Sequence, residues 1–443
     1  MSNNLSRRVA VIGSGISGLG SAWELTQRGY AVSVFESQSR LGGHAHTVDV
    51  TIDGQRFGVD TGFLVFNHKT YPNLIRLFAD LGVATSVSEM SFSVSEGPHR
   101  FEWAGSNLAT VFAQKRNLVS PSFWRMLSDI VRFNRQATQL AAAGNENDPQ
   151  LTGSLRTFLA RHRYSDSFKD RYLLPMAAAI WSCPIRQMLE FPLLGFIRFL
   201  HNHGLLQISN RPQWYTVSGG SRHYVEKIAS QLRDVRLNTP VLSVSRHKLR
   251  SAGKLELTSA QGTEAFDHVV LACHSDQALR LLADPSPFEQ RMLQGVRYQP
   301  NSAWLHTDIA LMPKRRSAWA AWNYLSSGRS SGNVDDRLVS VTYWLNRLQP
   351  LPVSTPLLVS LNPLQRPAAD QTLLQLAYEH PVFDQSAAAA VALLPQLQGQ
   401  QNTWYAGAWL GYGFHEDGLK SGLQAVAGLI AQDQSANALP WAA

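Results

Sequence analysis

The sequence predicts an α/β fold in which a nucleotide-binding domain is combined with a second, α+β domain. Three observations predict it: an apolar run, a glycine pattern and a helical pattern open the chain, further glycine-rich turns follow, and a strand, a turn and a helix close it. The chain has 443 residues, which is enough for two or three domains. Its composition, 44% hydrophobic and 16% charged, favours a large interior or a surface that faces apolar partners.

The N-terminal segment predicts a strand, a helix and a second strand. Val9–Ile12 is an unbroken apolar run, as expected of a parallel strand buried on both faces. Gly13, Gly15 and Gly18 form the pattern GxGxxG directly after it. This pattern suits a tight turn, a close approach to a pyrophosphate and close packing of the helix on the strand. The second strand, AVSVFE, ends at Glu36, so the order predicts a Rossmann-type unit.

The acid at the end of the second strand selects the nucleotide. The carboxylate of Glu36 can accept hydrogen bonds from both ribose hydroxyls, and it would repel a 2′-phosphate, which disfavours NADP. A glycine-rich turn that binds no ligand is the alternative. The predicted contacts of this unit are Gly13, Ser14, Gly15, Ile16, Ser17, Gly18, Glu36 and Ser37.

A second glycine element extends the predicted site. RLGGHAHT spans residues 40–47, and DTG at 60–62 lies at the end of another predicted strand. A simple NAD domain has no need of this element, whereas FAD is larger and extends past the pyrophosphate. We therefore predict FAD as the cofactor. Its contacts in this element are Arg40, Leu41, Gly42, Gly43, His44, Thr61, Gly62 and Phe63.

These motifs resemble the flavin-containing amine oxidase superfamily. The stretch DTGFLVFNHKTYPNLIRLFADLGV (60–83) is closest to bacterial predicted NAD/FAD-binding oxidoreductases that resemble the N-terminal domain of plant cyclopropane fatty acid synthases. The resemblance implies an amine-oxidase, glutathione-reductase-2-like fold and noncovalent FAD. It also implies a discontinuous Rossmann-type FAD-binding domain, residues 1–75, 209–285 and 396–443, and an α+β substrate-binding domain, residues 76–208 and 286–395.

The same resemblance assigns the C-terminal segment to the flavin site. TWYAGAWLGYGFHEDGLKSGLQAVAGLI (403–430) resembles the segment that returns to the nucleotide domain, and its helix, beginning near Gly418, would point its N-terminus at the flavin. An ordinary capped C-terminal helix is the alternative. The implied contacts are Val241, Ala272 and Cys273 in the middle of the chain, and Gly407, Ala408, Gly413, Phe414, Glu416, Asp417 and Gly418 near its end.

The link to cyclopropane synthases implies a lipid substrate. We expect an FAD-dependent oxidoreductase that desaturates or isomerises an acyl chain by hydride transfer to flavin, and no catalytic residue is predicted. The first alternative is a flavin amine oxidase. Two departures count against it: no lysine occurs between Lys254 and Lys314, and Phe414 stands where the amine-oxidase cage has tyrosine. The second alternative is a flavin-binding or lipid-presenting partner of a fatty-acid-modifying methyltransferase.

Charge and hydropathy bear on location and partners. The net charge is +8 with arginine in excess, so an anionic membrane surface is a candidate partner, and we expect no nucleic-acid partner. MPKRRSAWAAWNY (312–324) predicts either a membrane-surface patch or packed tryptophans under a basic loop. FPLLGFIRFL (191–200) predicts an acyl tunnel, a lipid-dipping segment or a plain core helix. No apolar run spans a membrane, so we expect a cytoplasmic protein with peripheral contact to the inner membrane face.

Other site chemistries find little support in the sequence. The pairs His44-x-His46 and His201-x-His203 lack the third and fourth ligands of a metal site, so we predict no metal. No GxSxG nucleophile elbow is present, so the sequence gives no support for a serine hydrolase. The two cysteines are far apart in the sequence and fit a reducing compartment rather than a disulfide scaffold.

Overall fold

The structure is a computed structural model that describes residues 7–97, 100–143, 151–181, 183–207, 211–247, 253–327 and 339–437. Its strands are Arg8–Ile12, Ala31–Phe35, Thr47–Ile52, Gln55–Asp60, Phe66–Asn67, Thr85–Ser88, Phe92–Glu96, Phe101–Ala104, Trp214–Val217, Asp234–Arg236, Val241–Ser245, Leu255–Ser259, Gly262–Phe266, His268–Leu271, Tyr298–His306, Trp322–Ser326, Val339–Trp344, Leu358–Leu361, Thr372–Pro381 and Thr403–Tyr405.

Its α-helices are Ile16–Gln27, Pro72–Leu81, Leu108–Val111, Pro121–Ala142, Leu155–Arg161, Asp166–Phe168, Leu174–Trp181, Ile185–Leu189, Leu193–Asn202, Arg222–Ala229, Ser275–Leu281, Pro287–Gln294, Leu345–Leu348, Gln385–Val391, Leu394–Leu397 and His415–Asn437. A π-helical turn covers Lys169–Leu173. Short 3-10 turns cover Lys115–Val119, Ile309–Leu311, Arg316–Ala318, Ala369–Gln371, Gln400–Asn402 and Ala408–Leu410.

A parallel sheet gathers strands from distant parts of the chain. Its five strands lie in the order Asp234–Arg236, Ala31–Phe35, Arg8–Ile12, His268–Leu271 and Thr403–Tyr405. The central strand and its neighbour bury the apolar runs Val9–Ile12 and Val269–Leu271 on both faces, as a sheet covered by helices requires. The first and last helices pack on one another, where the Leu419 side chain lies against the backbone of Gly20. This confirms the predicted α/β fold with a Rossmann-type sheet; the exact domain boundaries stay a prediction.

A larger antiparallel sheet with helices beside it forms the rest of the fold. Its seven strands lie in the order Thr372–Pro381, Tyr298–His306, Leu358–Leu361, Val339–Trp344, Trp322–Ser326, Phe92–Glu96 and Phe101–Ala104. All neighbours are antiparallel except Trp322–Ser326 and Phe92–Glu96, which run parallel. One apolar core extends from Leu19 of the first helix through Phe196 to Tyr324 of this sheet. The seven-stranded sheet therefore shares an interior with the first helix, whereas the strands of the parallel sheet pack in two separate apolar clusters.

The apolar stretch at 191–200 forms a mostly buried helix, and its Phe199 lines the cavity described below. Within helix Leu193–Asn202, the side chains of Leu193, Phe196, Ile197 and Leu200 are buried. Among the helices of the described ranges, none is both long enough and apolar enough to cross a bilayer.

Candidate functional site

A cavity of about 690 Å³ extends from the carboxyl ends of the parallel strands to the seven-stranded sheet. Ligands of open α/β sheets bind at this edge. Twenty of the predicted contacts line the cavity, and they come from parts of the chain as far apart as residues 13 and 414. They are Gly13, Ser14, Gly15, Ile16, Ser17, Glu36, Ser37, Gly42, Gly43, His44, Thr61, Gly62, Phe63, Val241, Ala272, Cys273, Gly407, Ala408, Gly413 and Phe414.

The first glycine turn has the geometry of an anion cradle. A Cβ at Gly15 would meet no protein atom within 4 Å, so that side of the turn is open space. A Cβ at Gly18 would lie 1.9 Å from the carbonyl oxygen of Gly13, so the helix packs against the turn at contact distance. No side chain caps helix Ile16–Gln27, whose first N–H groups face the cavity and favour a negative charge.

Glu36 orders the turn as well as lining the cavity. One carboxylate oxygen, Oε2, accepts hydrogen bonds from the backbone N of Ser14 at 2.9 Å and from its Oγ at 2.6 Å. The other, Oε1, accepts from the backbone N of Gln38 at 2.9 Å. Ser37 Oγ also donates to Oε1, at 3.3 Å, so the about four lone-pair sites of the carboxylate are occupied, and a ribose hydroxyl would take the place of this long Ser37 bond. The sequence predicted the ribose role alone and missed this link to Ser14.

The second glycine element forms the opposite wall. Asp60, buried at the end of its strand, accepts hydrogen bonds from the backbone N of Ser221 at 3.0 Å and from Thr47 Oγ1 at 2.6 Å. Those bonds fix the turn that leads to Gly62, where a Cβ would lie 2.3 Å from the His44 carbonyl oxygen. The Oγ1 of Thr61 is 2.8 Å from the Tyr378 hydroxyl, which joins this wall to the seven-stranded sheet.

His44 presents a buried polar atom to the cavity. Its Nε2 has no hydrogen-bond partner in the part of the chain that the structure describes. Burial, and then the neighbouring His380, lower the pKa of this imidazole well below its usual value, so it is neutral at neutral pH. An uncharged ring with one unsatisfied nitrogen suits a polar atom of a bound group.

Six of the predicted contacts lie behind the lining: Gly18, Arg40, Leu41, Glu416, Asp417 and Gly418. Arg40 donates from Nη1 to the carbonyl oxygen of Gly43 at 2.8 Å, and so shapes the second glycine turn from outside. The side chain of Leu41 packs against the apolar core. Gly418 lies where a Cβ would be 2.9 Å from Ile16 and Ser17 side-chain atoms, so it allows the two helices to approach.

The carboxylates of Glu416 and Asp417 accept hydrogen bonds from backbone N–H groups and do not line the cavity. Glu416 accepts hydrogen bonds from the backbone N of Asn73 and of Leu74, both at 3.0 Å, and so caps helix Pro72–Leu81. Asp417 accepts from the backbone N of Tyr412 at 3.1 Å and of Phe414 at 3.0 Å. Burial raises the pKa of Asp417 to about 6 and also raises that of Glu416.

The last helix begins at His415, three residues before the predicted start at Gly418. Both acids therefore belong to its first turn. His415 lines the cavity and stacks on Phe63, with ring centroids 3.9 Å apart. The distance from its Nε2 to the Tyr224 hydroxyl oxygen is 2.6 Å. Burial lowers its pKa to about 3, so this ring is neutral as well.

Neither cysteine has thiolate character. Burial raises the pKa of Cys183 and of Cys273 to about 12. Cys273 lines the cavity beside Ala272, and its carbonyl oxygen accepts a hydrogen bond from Trp409 at 3.2 Å. The geometry gives no nucleophile for a covalent link at this position.

The sequence missed most of the far end of the cavity, which is aromatic and aliphatic. Its lining comes from residues 172–205 and from the seven-stranded sheet, and of these only Phe199 lies in a stretch, 191–200, for which an acyl tunnel was one prediction. The lining residues of this end include Met90, Phe92, Trp103, Tyr172, Met176, Ile180, Trp181, Phe199, Leu205, Trp322, Tyr343, Leu361 and Phe383. Phe414 stacks on Phe199 with ring centroids 4.8 Å apart, which closes this end toward the predicted flavin side.

Charged side chains are sparse along the described lining. Its acids are Glu36 and Glu379, its cations are Arg211 and Arg280, and it contains no lysine. Glu379 is about half exposed and lies near His274 at the cavity mouth. Histidine pairs at positions 44–46 and 201–203 join no group of three or more side chains that could hold a metal ion within the described ranges.

The fold and cavity define a dinucleotide-binding protein whose cofactor is larger than NAD. The residues present fit FAD, since the open space at Gly15, the uncapped helix and the unsatisfied His44 nitrogen lie along one cavity. The model of the flavin containing amine oxidoreductase family matches residues 16–343. The chain belongs to this family, and its cofactor is FAD.

Individual relatives agree with the family. The chain is 30% identical over 300 residues to the carotenoid phi-ring synthase of Streptomyces griseus, covering 63% of this chain and 54% of the relative. It spans about half the length of the curated relatives it matches. Two solved structures share the fold at low identity: a CLA-producing fatty acid isomerase from P. acnes (14% identical, TM-score 0.68, 97% and 99% of the two chains) and cyclohexylamine oxidase from Brevibacterium oxydans (16%, 0.69, 97% and 100%).

Proposed function

We propose that this FAD-dependent oxidoreductase desaturates or isomerises a lipid acyl chain. The observation that carries the proposal is the aromatic and aliphatic lining of the far end of the cavity, to which the described lining contributes no acid. An acyl chain gains from apolar burial there, at about 0.8 kcal/mol per CH₂ group. An ammonium group would lose its hydration without a buried carboxylate to replace it.

When bound, FAD supplies the acceptor for a hydride from the substrate. The protein's own contribution is binding, orientation and exclusion of water. The neutral imidazoles of His44 and His415 can exchange hydrogen bonds with polar atoms of a bound group without placing a charge in the cavity. Phe414 and Phe199 form an apolar wall that would hold a chain against the reacting edge.

The relatives support a long apolar substrate. The phi-ring synthase is named for a carotenoid, and the P. acnes isomerase for a fatty acid. Both substrates are extended hydrocarbon chains. Such substrates reside in bilayers, so the proposal includes peripheral association of this protein with a membrane on its cytoplasmic side.

The test is anaerobic photometry of the flavin-loaded protein with free fatty acids, phospholipids and amines. We expect acyl lipids to bleach the flavin absorbance, or to change double-bond position in the recovered lipid if the reaction is an isomerisation. Bleaching by amines alone would refute the proposal and favour an amine oxidase. A protein that binds acyl lipid without either change would instead support a lipid-presenting partner of a methyltransferase.

Arg211 offers a finer test of the acyl proposal. Arg211 is exposed and lines the cavity. Among the described lining residues, it is the cation that lies at the substrate end. A carboxylate or phosphate at the head of the substrate could pair with its guanidinium. The variant Arg211→Gln should raise KM for free fatty acids without changing flavin content. An unchanged KM would remove this residue from substrate recognition.

A further inference from the structure

Exposed apolar side chains are concentrated in one part of the surface. Five of the large hydrophobic residues that protrude into solvent fall within residues 108–131: Leu108 (78% exposed), Leu118 (49%), Val119 (83%), Trp124 (50%) and Val131 (56%). Isolated exposed apolar residues are normal, but a group of this kind marks an interaction site. We call the exposed side chains of residues 108–135 the basic-apolar face.

The longest helix of the substrate side presents a regular outer stripe on this face. Trp124, Ser128, Val131 and Arg135 recur at i, i+4, i+7 and i+11 of helix Pro121–Ala142, and all four are exposed. The opposite side of the helix buries Phe123, Met126, Ile130 and Phe133 in the core. The outer side of the helix therefore leaves two large apolar side chains, Trp124 and Val131, uncovered by the rest of the described chain, beside Ser128 and Arg135.

The turn before this helix adds the most protruding residues. Leu118 and Val119 end the 3-10 turn Lys115–Val119 directly before Ser120 caps the helix. The indole Nε1 of Trp124 donates to the Leu118 carbonyl oxygen at 2.8 Å, and the Trp124 ring lies 5.7 Å from that of Phe112. Turn and helix are thus one ordered surface.

The charge of this face is positive. Lys115, Arg116 and Arg135 are exposed and form no ion pair with any residue that the structure describes. The two acids of residues 100–143, Glu102 and Asp129, are both buried. Asp129 pairs with Arg125 and Arg132 on its own helix, so it offsets charge there and leaves Lys115, Arg116 and Arg135 without an ion-pair partner among the described residues.

Glu102 joins a second basic segment to the same face. It accepts hydrogen bonds from the backbone N of Lys314 at 2.7 Å and from Arg315 Nη1 at 2.8 Å. The 3-10 turn Arg316–Ala318 lies against helix Leu108–Val111. The tryptophans of this segment are packed: Arg316 covers the Trp319 ring at 4.1 Å. Between the two readings of residues 312–324, the structure supports packed rings under a basic loop.

The face adjoins the candidate substrate end of the cavity. Trp103 and Gly105 line that end. Trp103 packs on Phe123 with ring centroids 6.3 Å apart, and Phe123 neighbours the exposed Trp124. One layer of side chains thus separates the cavity from the basic-apolar face.

We propose that the basic-apolar face docks on an anionic lipid bilayer, with Leu118, Val119 and Trp124 entering the interface and the cations contacting lipid phosphates. Charge complementarity selects this occupant, since the face carries unpaired cations and no exposed acid of its own segment. Apolar insertion combined with a polybasic surface is the two-part signal that gives stable surface binding. The inference rests on the proposed function in one respect, that the acyl substrate is taken from the bilayer.

Co-sedimentation of the full, flavin-loaded chain with vesicles tests the proposal. The vesicles are phosphatidylcholine alone, or phosphatidylcholine mixed with phosphatidylglycerol. We expect binding to the mixed vesicles that high salt lowers only in part, because salt screens the cations and leaves the apolar contacts. If the protein stays in the supernatant with mixed vesicles at low salt, the proposal is overturned, and a protein partner would then be the better candidate for this face.

Two double variants assign the binding to this face. Lys115→Gln with Arg116→Gln should lower affinity for mixed vesicles about 30-fold at low salt, from about 1 kcal/mol per basic residue. Leu118→Ser with Val119→Ser should lower it roughly tenfold and remove most of the salt-resistant binding. Both pairs are exposed, and both variants should keep flavin content and thermal stability.

Matched controls lie on other surfaces. Arg233→Gln with Lys420→Gln removes the same charge from exposed positions on the nucleotide-binding side. Leu373→Ser removes an exposed apolar side chain from strand Thr372–Pro381, at the opposite edge of the seven-stranded sheet from Phe101–Ala104. We expect both controls to bind as wild type does. A control that loses as much affinity as the test variants would overturn the assignment to this face.

Flavin bleaching by dispersed fatty acid, measured on the same proteins, separates the two proposals. Bleaching without vesicle binding would refute the docking face and leave the acyl substrate standing. Vesicle binding that depends on Lys115 and Arg116, without bleaching by any acyl lipid, would support the docking face and refute the proposed reaction.

Discussion

Two alanine substitutions three residues apart should have opposite consequences, because one glycine faces ligand space and the other faces protein. In Gly15→Ala the new Cβ meets no protein atom within 4 Å, and the backbone angles of −66° and 178° are ordinary for alanine. The apoprotein should lose no more than about 1 kcal/mol, the cost of alanine in place of glycine at a helix N-cap. In Gly18→Ala the Cβ would lie 1.9 Å from the Gly13 carbonyl oxygen.

The substitution that hardly changes apoprotein stability, Gly15→Ala, should be the one that directly weakens FAD binding. If the pyrophosphate of FAD occupies the space beside Gly15, the added methyl group overpacks that contact by about 1–3 kcal/mol. Binding should then weaken by a factor of roughly 5 to 150. Gly18→Ala should instead destabilise the apoprotein itself, because the backbone of strand, turn and helix must separate to admit the methyl group.

Titration of each apoprotein with FAD, followed by flavin fluorescence, gives the affinity, and thermal unfolding without FAD gives the stability. A Gly15→Ala protein that binds FAD as tightly as wild type would refute the placement of the pyrophosphate. A Gly18→Ala apoprotein with an unchanged melting temperature would refute the close packing of the turn.

Three further outcomes follow from the site. Heat or acid should release FAD into the supernatant, because burial raises the pKa of Cys183 and Cys273 to about 12 and neither offers a thiolate; colour that stays with the precipitate would contradict this. Glu36→Gln should loosen the turn in the apoprotein, because its hydrogen bonds to Ser14 and Gln38 lie within the protein. Loss of a charge-assisted bond to the ribose, about 1.5–3 kcal/mol, should weaken FAD binding roughly 10- to 150-fold, and full flavin occupancy after dialysis would refute the ribose contact. Burial lowers the pKa of His203 to about 4 and of His415 to about 3, so the unfolded chain binds more protons below pH 6.5. Stability should therefore fall as pH drops from 6.5 to 4, by up to about 1.4 kcal/mol per histidine per pH unit, and a urea midpoint that stays constant over this window would exclude it.

The N-terminal half of the site was predictable because its signals are local. The glycine pattern, the apolar strand before it and the acid after the second strand lie within thirty residues, and each has one structural role. The same residues also predicted the fold, because they resemble the motifs of the flavin-containing amine oxidase superfamily. The pairing of the first strand with His268–Leu271 completes this unit at a distance.

Roles that depend on distant partners were not predictable. Glu416 sits in a first helical turn, where an acid usually faces the helix dipole, but its hydrogen bonds go to Asn73 and Leu74, more than 340 residues away. The order of residues 312–324 fits exposed or packed tryptophans equally well, and the packing of Arg316 on Trp319 decides between them. Burial of a ring is a tertiary property that composition does not specify.

The acids around the cavity explain why its interior is so little charged. Glu36, Asp60, Glu416 and Asp417 each accept hydrogen bonds from backbone N–H groups, and three of them join segments distant in sequence. Carboxylates used in this way fix the loops that surround the flavin but offer little to a substrate cation. Selection of the substrate is then left to shape and apolar burial, which suit a hydrocarbon chain. Outside the cavity, the basic-apolar face next to Trp103 adds the exposed cations Lys115 and Arg116, at a place where a bilayer would supply such a chain.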